Sequence, residues 1–247
     1  MRIAVVGATG RVGHHAVDVL HEQGNEVVPI SRAQGVDVIT GVGLDMALDG
    51  VEVIIDAATG PSPDERQATD FFTTATRNLQ LAGARAGVRR LVVVSIIGID
   101  KARGGYNRAK LAHEEAAQAG PVPAKIVRAA QFHEFVEQLV GWGRQGDVAY
   151  LPTMRTQLVA ARTVAEALVD VATTDAEIRE VAGPQEENLA AMARLLAAKR
   201  GAPREILEVS DPDNPDREFF EDGTLLPGAG AVLGGPTYAQ WLKTTSE

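Results

Sequence analysis

Tyr106 and Lys110 stand four residues apart in the segment GGYNRAKLAHE. At that spacing both side chains lie on one face of a helix. A tyrosine near its ordinary pKa of about 10 is a poor acid–base group at neutral pH, and a nearby ammonium lowers that value. The expectation is therefore that Lys110 holds the Tyr106 phenol down for proton transfer. Both residue types are common, so the pair gains meaning from what precedes it. The chain opens on IAVVGATGRVG, and Ser95 closes an intervening apolar run, LVVVS. A glycine-rich loop followed by Ser, Tyr and Lys suggests hydride transfer coupled to proton donation onto a carbonyl oxygen that the Ser95 hydroxyl orients.

Regular elements must bring these distant residues together. Apolar runs predict strands at 3–6, 26–30, 36–39, 51–56, 91–94 and 124–127. Helical periodicity falls between them at 12–23, 44–48, 66–86 and 106–119. Strands alternating with helices indicate an α/β chain, with a Rossmann-like parallel sheet covered on both faces. Right-handed crossovers then place all strand C-termini at one edge, where Gly7, Asp56, Ser95 and Arg128 converge. After residue 130 the pattern is less regular. Helices are expected at 132–142, 162–172 and 188–199, with short strands at 148–151 and 178–181. The segment DPDNPDREFFEDG, residues 211–223, reads as an exposed loop or lid. The expected organisation is a cofactor-binding domain over 1–150. Residues 151–247 supply the remaining sheet edge and a small, dependent C-terminal lobe that walls the substrate pocket.

Gly7, Gly10 and Gly13 form G-x-x-G-x-x-G between the first strand and the first helix. A side chain there would keep a pyrophosphate from the backbone, and the helix N-terminus presents free N–H groups to an anion. Thr9, Arg11 and Val12 belong to the same loop, and Ala57 and Ala58 follow the fourth expected strand. An acidic residue at the end of the second strand usually receives the adenosine ribose hydroxyls. Here the strand ends PISRA, so Ser31 and Arg32 favour the 2′-phosphate of NADP, with NAD the alternative. Asp45 reaches the adenine side or serves as a helix cap.

Composition narrows the function classes. The chain has 247 residues, a net charge of −9 and no cysteine. The acidic balance disfavours nucleic acid and anionic membranes as partners. Without cysteine there is neither a disulfide scaffold nor a thiol nucleophile. No run approaches the roughly 20 apolar residues of a membrane span. The expected setting is cytoplasmic, as a monomer or homodimer acting on a small molecule. No metal site is predicted; His14 and His15 are not assigned as ligands.

Together, IAVVGATGRVG, Ser95 and the Tyr106–Lys110 pair resemble the short-chain dehydrogenase/reductase superfamily. The closer likeness is to its extended and atypical members, the NmrA-like and epimerase-like NAD(P)-binding proteins. The resemblance is strongest over residues 1–140. It implies that Tyr106 acts as general acid or base and Ser95 polarises the substrate carbonyl. It also implies that Lys110 lowers the Tyr pKa and binds the nicotinamide ribose. Related atypical members carry a stretch very similar to RAAQFHEF, which makes Gln131, Phe132 and His133 candidates for the substrate-facing surface. His133 has a structural role as its alternative. Arg155 either receives an anionic substrate group or pairs with an acidic neighbour. The expected activity is NADPH-dependent reduction of a carbonyl or quinone-like molecule. The alternatives are a non-catalytic NADP-sensing regulator and a nucleotide-sugar epimerase or dehydratase.

Overall fold

The computed structural model describes residues 1–213 and 216–245. Its first half alternates strand and helix: β1 (Arg2–Val6), α1 (Gly13–Glu22), β2 (Glu26–Ile30), α2 (Leu44–Ala47), β3 (Val53–Asp56), α3 (Glu65–Ala86), β4 (Arg90–Ile96), α4 (Gly105–Gln118) and β5 (Ala124–Ala129). Its second half is α5 (His133–Gly143), β6 (Arg144–Gln145), β7 (Val148–Pro152), β8 (Arg155–Thr156), α6 (Ala161–Thr173), β9 (Glu180–Ala182), β10 (Glu187–Asn188), α7 (Leu189–Arg200), β11 (Glu205–Val209), α8 (Arg217–Glu221), β12 (Val232–Leu233) and α9 (Tyr238–Thr244).

Seven parallel strands form the central sheet in the order β12-β9-β5-β4-β3-β1-β2. The order reverses between β1 and β3, which opens a crevice at their C-terminal ends. The strands read as unbroken apolar runs because both faces are covered. Ile3, Val5, Val53, Ile55 and Val92 pack towards α1 and α6. Their neighbours Ala4, Val6, Ile54, Leu91 and Val93 pack towards α2, α3 and α4. The same alternation puts Ser95 on the α3/α4 side, below Leu91 and Val93.

Helices α3 and α4 carry the chemistry-bearing face. Asp64 caps α3, accepting the Gln67 N–H at 3.0 Å. Ala68, Phe72, Ala75 and Leu79 then recur at helical spacing on its buried side. Gln80 ties α3 to the turn after α4. Its amide donates to the Ala117 and Val122 carbonyls at 2.7 and 3.1 Å and accepts from the Val122 N–H at 2.7 Å. Every polar atom of this buried side chain is thereby used, which fixes where α4 sits against the sheet.

A smaller lobe is built from α5, α7, α8, α9 and two short sheets, β11-β7-β6 and β10-β8. Its core includes Val136, Leu151, Leu158, Leu189, Phe219 and Tyr238. The chain leaves the lobe to add α6, β9 and β12 to the main sheet, so the two cores interleave along the sequence.

The predicted strand at 36–39 is absent: the segment folds as turns. Asp37 is the cause. Its carboxylate accepts the Ile39 and Thr40 N–H groups at 2.8 and 3.4 Å, and its own N–H donates to the Val42 carbonyl at 2.9 Å. Asn78 on α3 takes the Val38 and Ile39 carbonyls. With these groups bonded locally, no ladder to β2 forms. β4 runs two residues further than predicted, so Ser95 lies within it, opposite Arg128 of β5. The segment read as an exposed loop at 211–223 contains α8, and Phe219 is buried in the lobe core. Two of its residues, 214 and 215, lie outside the described residues.

Candidate active site

The glycine loop closes on itself so tightly that only glycine fits. Gly7 has φ +73°, and a Cβ there would lie 2.8 Å from the Ala57 carbonyl oxygen and 2.9 Å from the Ala58 Cα. A Cβ on Gly13 would lie 2.0 Å from the Gly7 carbonyl oxygen. The loop after β1 therefore rests directly on Ala57 and Ala58 at the end of β3, at the point where strand order reverses. Val12 at the start of α1 offers no side-chain cap, and the first turn holds no acidic residue. Such a helix end favours an anion.

At the end of β2 the Ser31 hydroxyl is buried and has no partner among the described residues. Arg32 is exposed and opens a short 3₁₀ turn, Arg32–Gln34. Asp45 does not turn towards this end of the sheet. It accepts two hydrogen bonds from Arg85, at 2.5 and 3.1 Å, beside the last turn of α3. α3 starts after the C-terminal end of β3 and runs back, so Arg85 holds Asp45 at the opposite edge from the glycine loop. The predicted adenine contact of Asp45 is corrected on that ground.

Lys110 is almost fully buried, at 4% exposure. Its ammonium donates to the Val94 carbonyl at 2.8 Å and to His113 Nδ1 at 2.9 Å. Accepting at Nδ1, a neutral His113 must carry its proton on Nε2, which lies 3.1 Å from Asp56 Oδ2. Asp56 also accepts the Ala58 N–H at 3.0 Å. The Phe72 ring stacks on His113 at 4.7 Å and lies 4.6 Å from the Lys110 ammonium. Burial lowers the His113 pKa, and the Lys110 charge adds to that, so the imidazole is neutral. Burial alone would raise the Asp56 pKa, but the His113 hydrogen bond, the Ala58 N–H and the Lys110 charge hold it below the ordinary value. Burial lowers Lys110 to about 8 against the opposing pull of Asp56 and Glu114. One cation and one anion thus face each other through a neutral ring.

Tyr106 sits in the first turn of α4, half-buried and edge-on to Phe72 at 5.8 Å. Its pKa is raised by burial, against the effect of a hydrogen bond with the Thr59 side chain. The expected depression by Lys110 is not what shifts this group: burial raises it, and the opposing effect comes from Thr59, so the phenol keeps its proton at neutral pH. Thr59 belongs to the loop after β3, so the phenol is aimed at the crevice edge. Ser95 is 2% exposed, and its hydroxyl has no partner among the described residues. It is one residue from the carbonyl that anchors Lys110. The fold thus brings Ser95, Tyr106 and Lys110 to the edge where the glycine loop lies.

The predicted substrate residues fare differently. His133 is fully buried in the small lobe. Its Nε2 donates to the Pro236 carbonyl at 3.0 Å, and its ring packs with Tyr238 and Trp241. Burial lowers it to about 4. It is a core histidine, which corrects its placement on the substrate surface. Arg155 pairs with Glu186 at 2.7 and 3.3 Å, so of its two predicted roles the ion pair is the one present. Gln131 accepts from the Thr156 hydroxyl at 2.6 Å, and Phe132 packs against the main core. Glu134 was not foreseen. Its Oε2 is buried without a partner among the described residues, and burial raises its pKa against the charges of Arg11 and His14 in and beside the glycine loop. The acid that follows QFH, and not the histidine, faces the loop.

Residues 7–175 match a family described as NAD(P)H-binding, and the chain belongs to that family. No curated protein sequence matches the chain. Among solved structures it is similar to the NADPH-dependent quinone oxidoreductase of Escherichia coli complexed with NADPH. That likeness has a TM-score of 0.70 at 17% identity and covers 98% of both chains. A dTDP-4-dehydrorhamnose reductase from Clostridium acetobutylicum gives 0.68 at 18% identity, covering 87% of this chain and 86% of that one. A short-chain dehydrogenase/reductase superfamily protein from Agrobacterium tumefaciens with bound NAD gives 0.64 at 18% identity, covering 85% of each. At these identities the likeness establishes the fold alone, a Rossmann-like α/β chain. Among the described residues, no helix is long and apolar enough to cross a membrane.

Proposed function

We propose that this protein is an NADPH-dependent reductase of a carbonyl or quinone-like small molecule. The observation that carries the reading is the placement of Tyr106 and the buried Lys110 ammonium on one helix at the crevice edge, with a Ser95 hydroxyl that has no partner among the described residues. The cradle fits a dinucleotide: Gly7 and Gly13 leave no room for side chains, and α1 begins uncapped beside them. Bound there, the nicotinamide supplies the hydride. Ser95 donates to the substrate oxygen and fixes its position. Tyr106 gives that oxygen a proton as negative charge develops on it. Lys110 uses two of its three N–H bonds on Val94 and His113, and the third is available to the nicotinamide ribose. Arg32 and Ser31 receive the 2′-phosphate.

The test is turnover of NADPH and NADH with a panel of aldehydes, ketones and quinones, comparing wild type with Y106F. The reading expects NADPH to be preferred and Y106F to lose roughly 10²-fold or more of the rate on a carbonyl. Equal rates in the two proteins would remove Tyr106 from the mechanism. Cofactor binding without turnover of any substrate would favour a sensor, and NAD retained through purification would favour the nucleotide-sugar alternative.

A further inference from the structure

The mechanism leaves His113 and Asp56 without a task, although both are buried and both are bonded towards Lys110. We propose that they are positioning residues: His113 is a neutral spacer that carries the counter-charge of Asp56 to Lys110 and holds the ammonium charged at the crevice edge. The inference rests on the reductase reading for its purpose and on geometry for its content.

Lys110 lies too deep for water to solvate its charge. A direct contact with a carboxylate would satisfy it but draw it away from the edge. The imidazole solves this by standing between them. It accepts from the ammonium at 2.9 Å and approaches Asp56 at 3.1 Å with its other nitrogen. Asp56 ends β3, next to Ala57 and Ala58, which touch the glycine loop. The clamp therefore ties α4 to the same strand end that seats the cofactor loop. Phe72 closes the assembly from α3, flat against the imidazole and within reach of the ammonium.

The chain is a clamp and not a proton wire. Asp56 is 2% exposed and His113 1% exposed, so neither meets solvent directly. The other charged groups nearby are engaged elsewhere. Glu114 on α4 is held by Arg128 of β5 at 2.8 and 3.0 Å, and Arg128 also binds Asp100. Lys101 reaches the Thr224 hydroxyl, and Glu65 of α3 accepts the Gly105 N–H. Tyr106, on the same helix, remains a neutral phenol. Asp56 is thus the anion that reaches Lys110 through His113.

The experiment follows the Lys110 Cε resonance through a pH titration of protein carrying 13C-labelled lysine, with the signal assigned through K110R. H113L removes the spacer. D56N keeps the shape and removes the anion, so the question survives if H113L does not fold. H113Q presents one acceptor and one donor and should rescue. The expected result is that Lys110 loses its proton about one pH unit or more lower in H113L and D56N, and near the wild-type pH in H113Q. NADPH affinity, followed by cofactor fluorescence, should fall several-fold in H113L and recover in H113Q. A purely structural role would lower thermal stability without moving the Lys110 titration. An unchanged titration in both H113L and D56N would overturn the clamp. Absence of NADPH and NADH binding in the wild type would instead remove the reductase reading, and the Lys110 titration would still decide the clamp.

Discussion

Replacing Arg32 by Asp tests cofactor choice at a single atom group. Arg32 is exposed and opens the 3₁₀ turn after β2, with the buried Ser31 hydroxyl beside it. In the proposed pose its guanidinium meets the 2′-phosphate of NADPH, which NADH lacks. A unit pair about 4 Å apart is worth about 1 kcal/mol in water and about 4 kcal/mol at an effective dielectric near 20. Exposure puts Arg32 towards the lower figure, while the phosphate's second charge and bidentate hydrogen bonding raise it. R32D also replaces attraction with repulsion. The loss in NADPH binding should therefore be at least about 1.4 kcal/mol, a tenfold weakening. NADH should change much less, because a carboxylate can accept from ribose hydroxyls. The assay is fluorescence titration of both cofactors against wild type, R32M and R32D at fixed ionic strength, since salt screens interactions between exposed charges, with a screening length of about 10 Å at 0.1 M. R32M should fall between the other two for NADPH. An unchanged ratio of NADPH to NADH affinity in R32D would refute the placement of the phosphate at Arg32.

Three further outcomes follow from the geometry. In G13A the new methyl would lie 2.0 Å from the Gly7 carbonyl oxygen, so the loop must open; NAD(P)H affinity should fall more than tenfold, with a lower melting temperature, read by titration and calorimetry. R128M leaves Glu114, which is buried, without its bidentate partner, and should cost about 3 kcal/mol in urea unfolding, against a small effect for R144M on the exposed β6. His133 is held at about 4, so between its ordinary value and that one the unfolded chain binds a proton that the native chain does not. Stability should accordingly fall as pH drops from about 6.5 to 4, by up to about 3 kcal/mol from this group, and H133F should flatten that part of the urea-midpoint profile relative to wild type.

Local signals were enough for the sheet and its glycine loop, because an apolar run between turn residues has few other ways to fold. They failed at 36–39, where Asp37 offers the backbone closer partners than a neighbouring strand does. They also failed wherever a side chain's partner lies far along the chain. His133 follows a strand that ends at the crevice, yet its ring is claimed by Pro236, Tyr238 and Trp241, 103 or more residues later. Asp45 looked free until α3 brought Arg85 to it from 40 residues away. The Tyr106–Lys110 spacing was legible, but what Lys110 does with its charge was not, since Asp56 lies 57 residues from His113.

That last difference changes how the pair would work. From spacing alone, the lysine serves the tyrosine, as a cation that makes phenolate accessible. In the folded chain most of the ammonium's bonding is spent on Val94 and on the imidazole in front of Asp56, and burial keeps the phenol protonated. A phenol above its ordinary pKa is a weak acid, but it is present in the acid form throughout the neutral range. It needs to yield its proton only as the substrate oxygen becomes strongly basic after hydride arrives. Oxidation would ask the same group to start as phenolate, against the burial that raises its pKa. Under the proposed function, Tyr106 is therefore held in the acid form that proton delivery to the substrate oxygen requires.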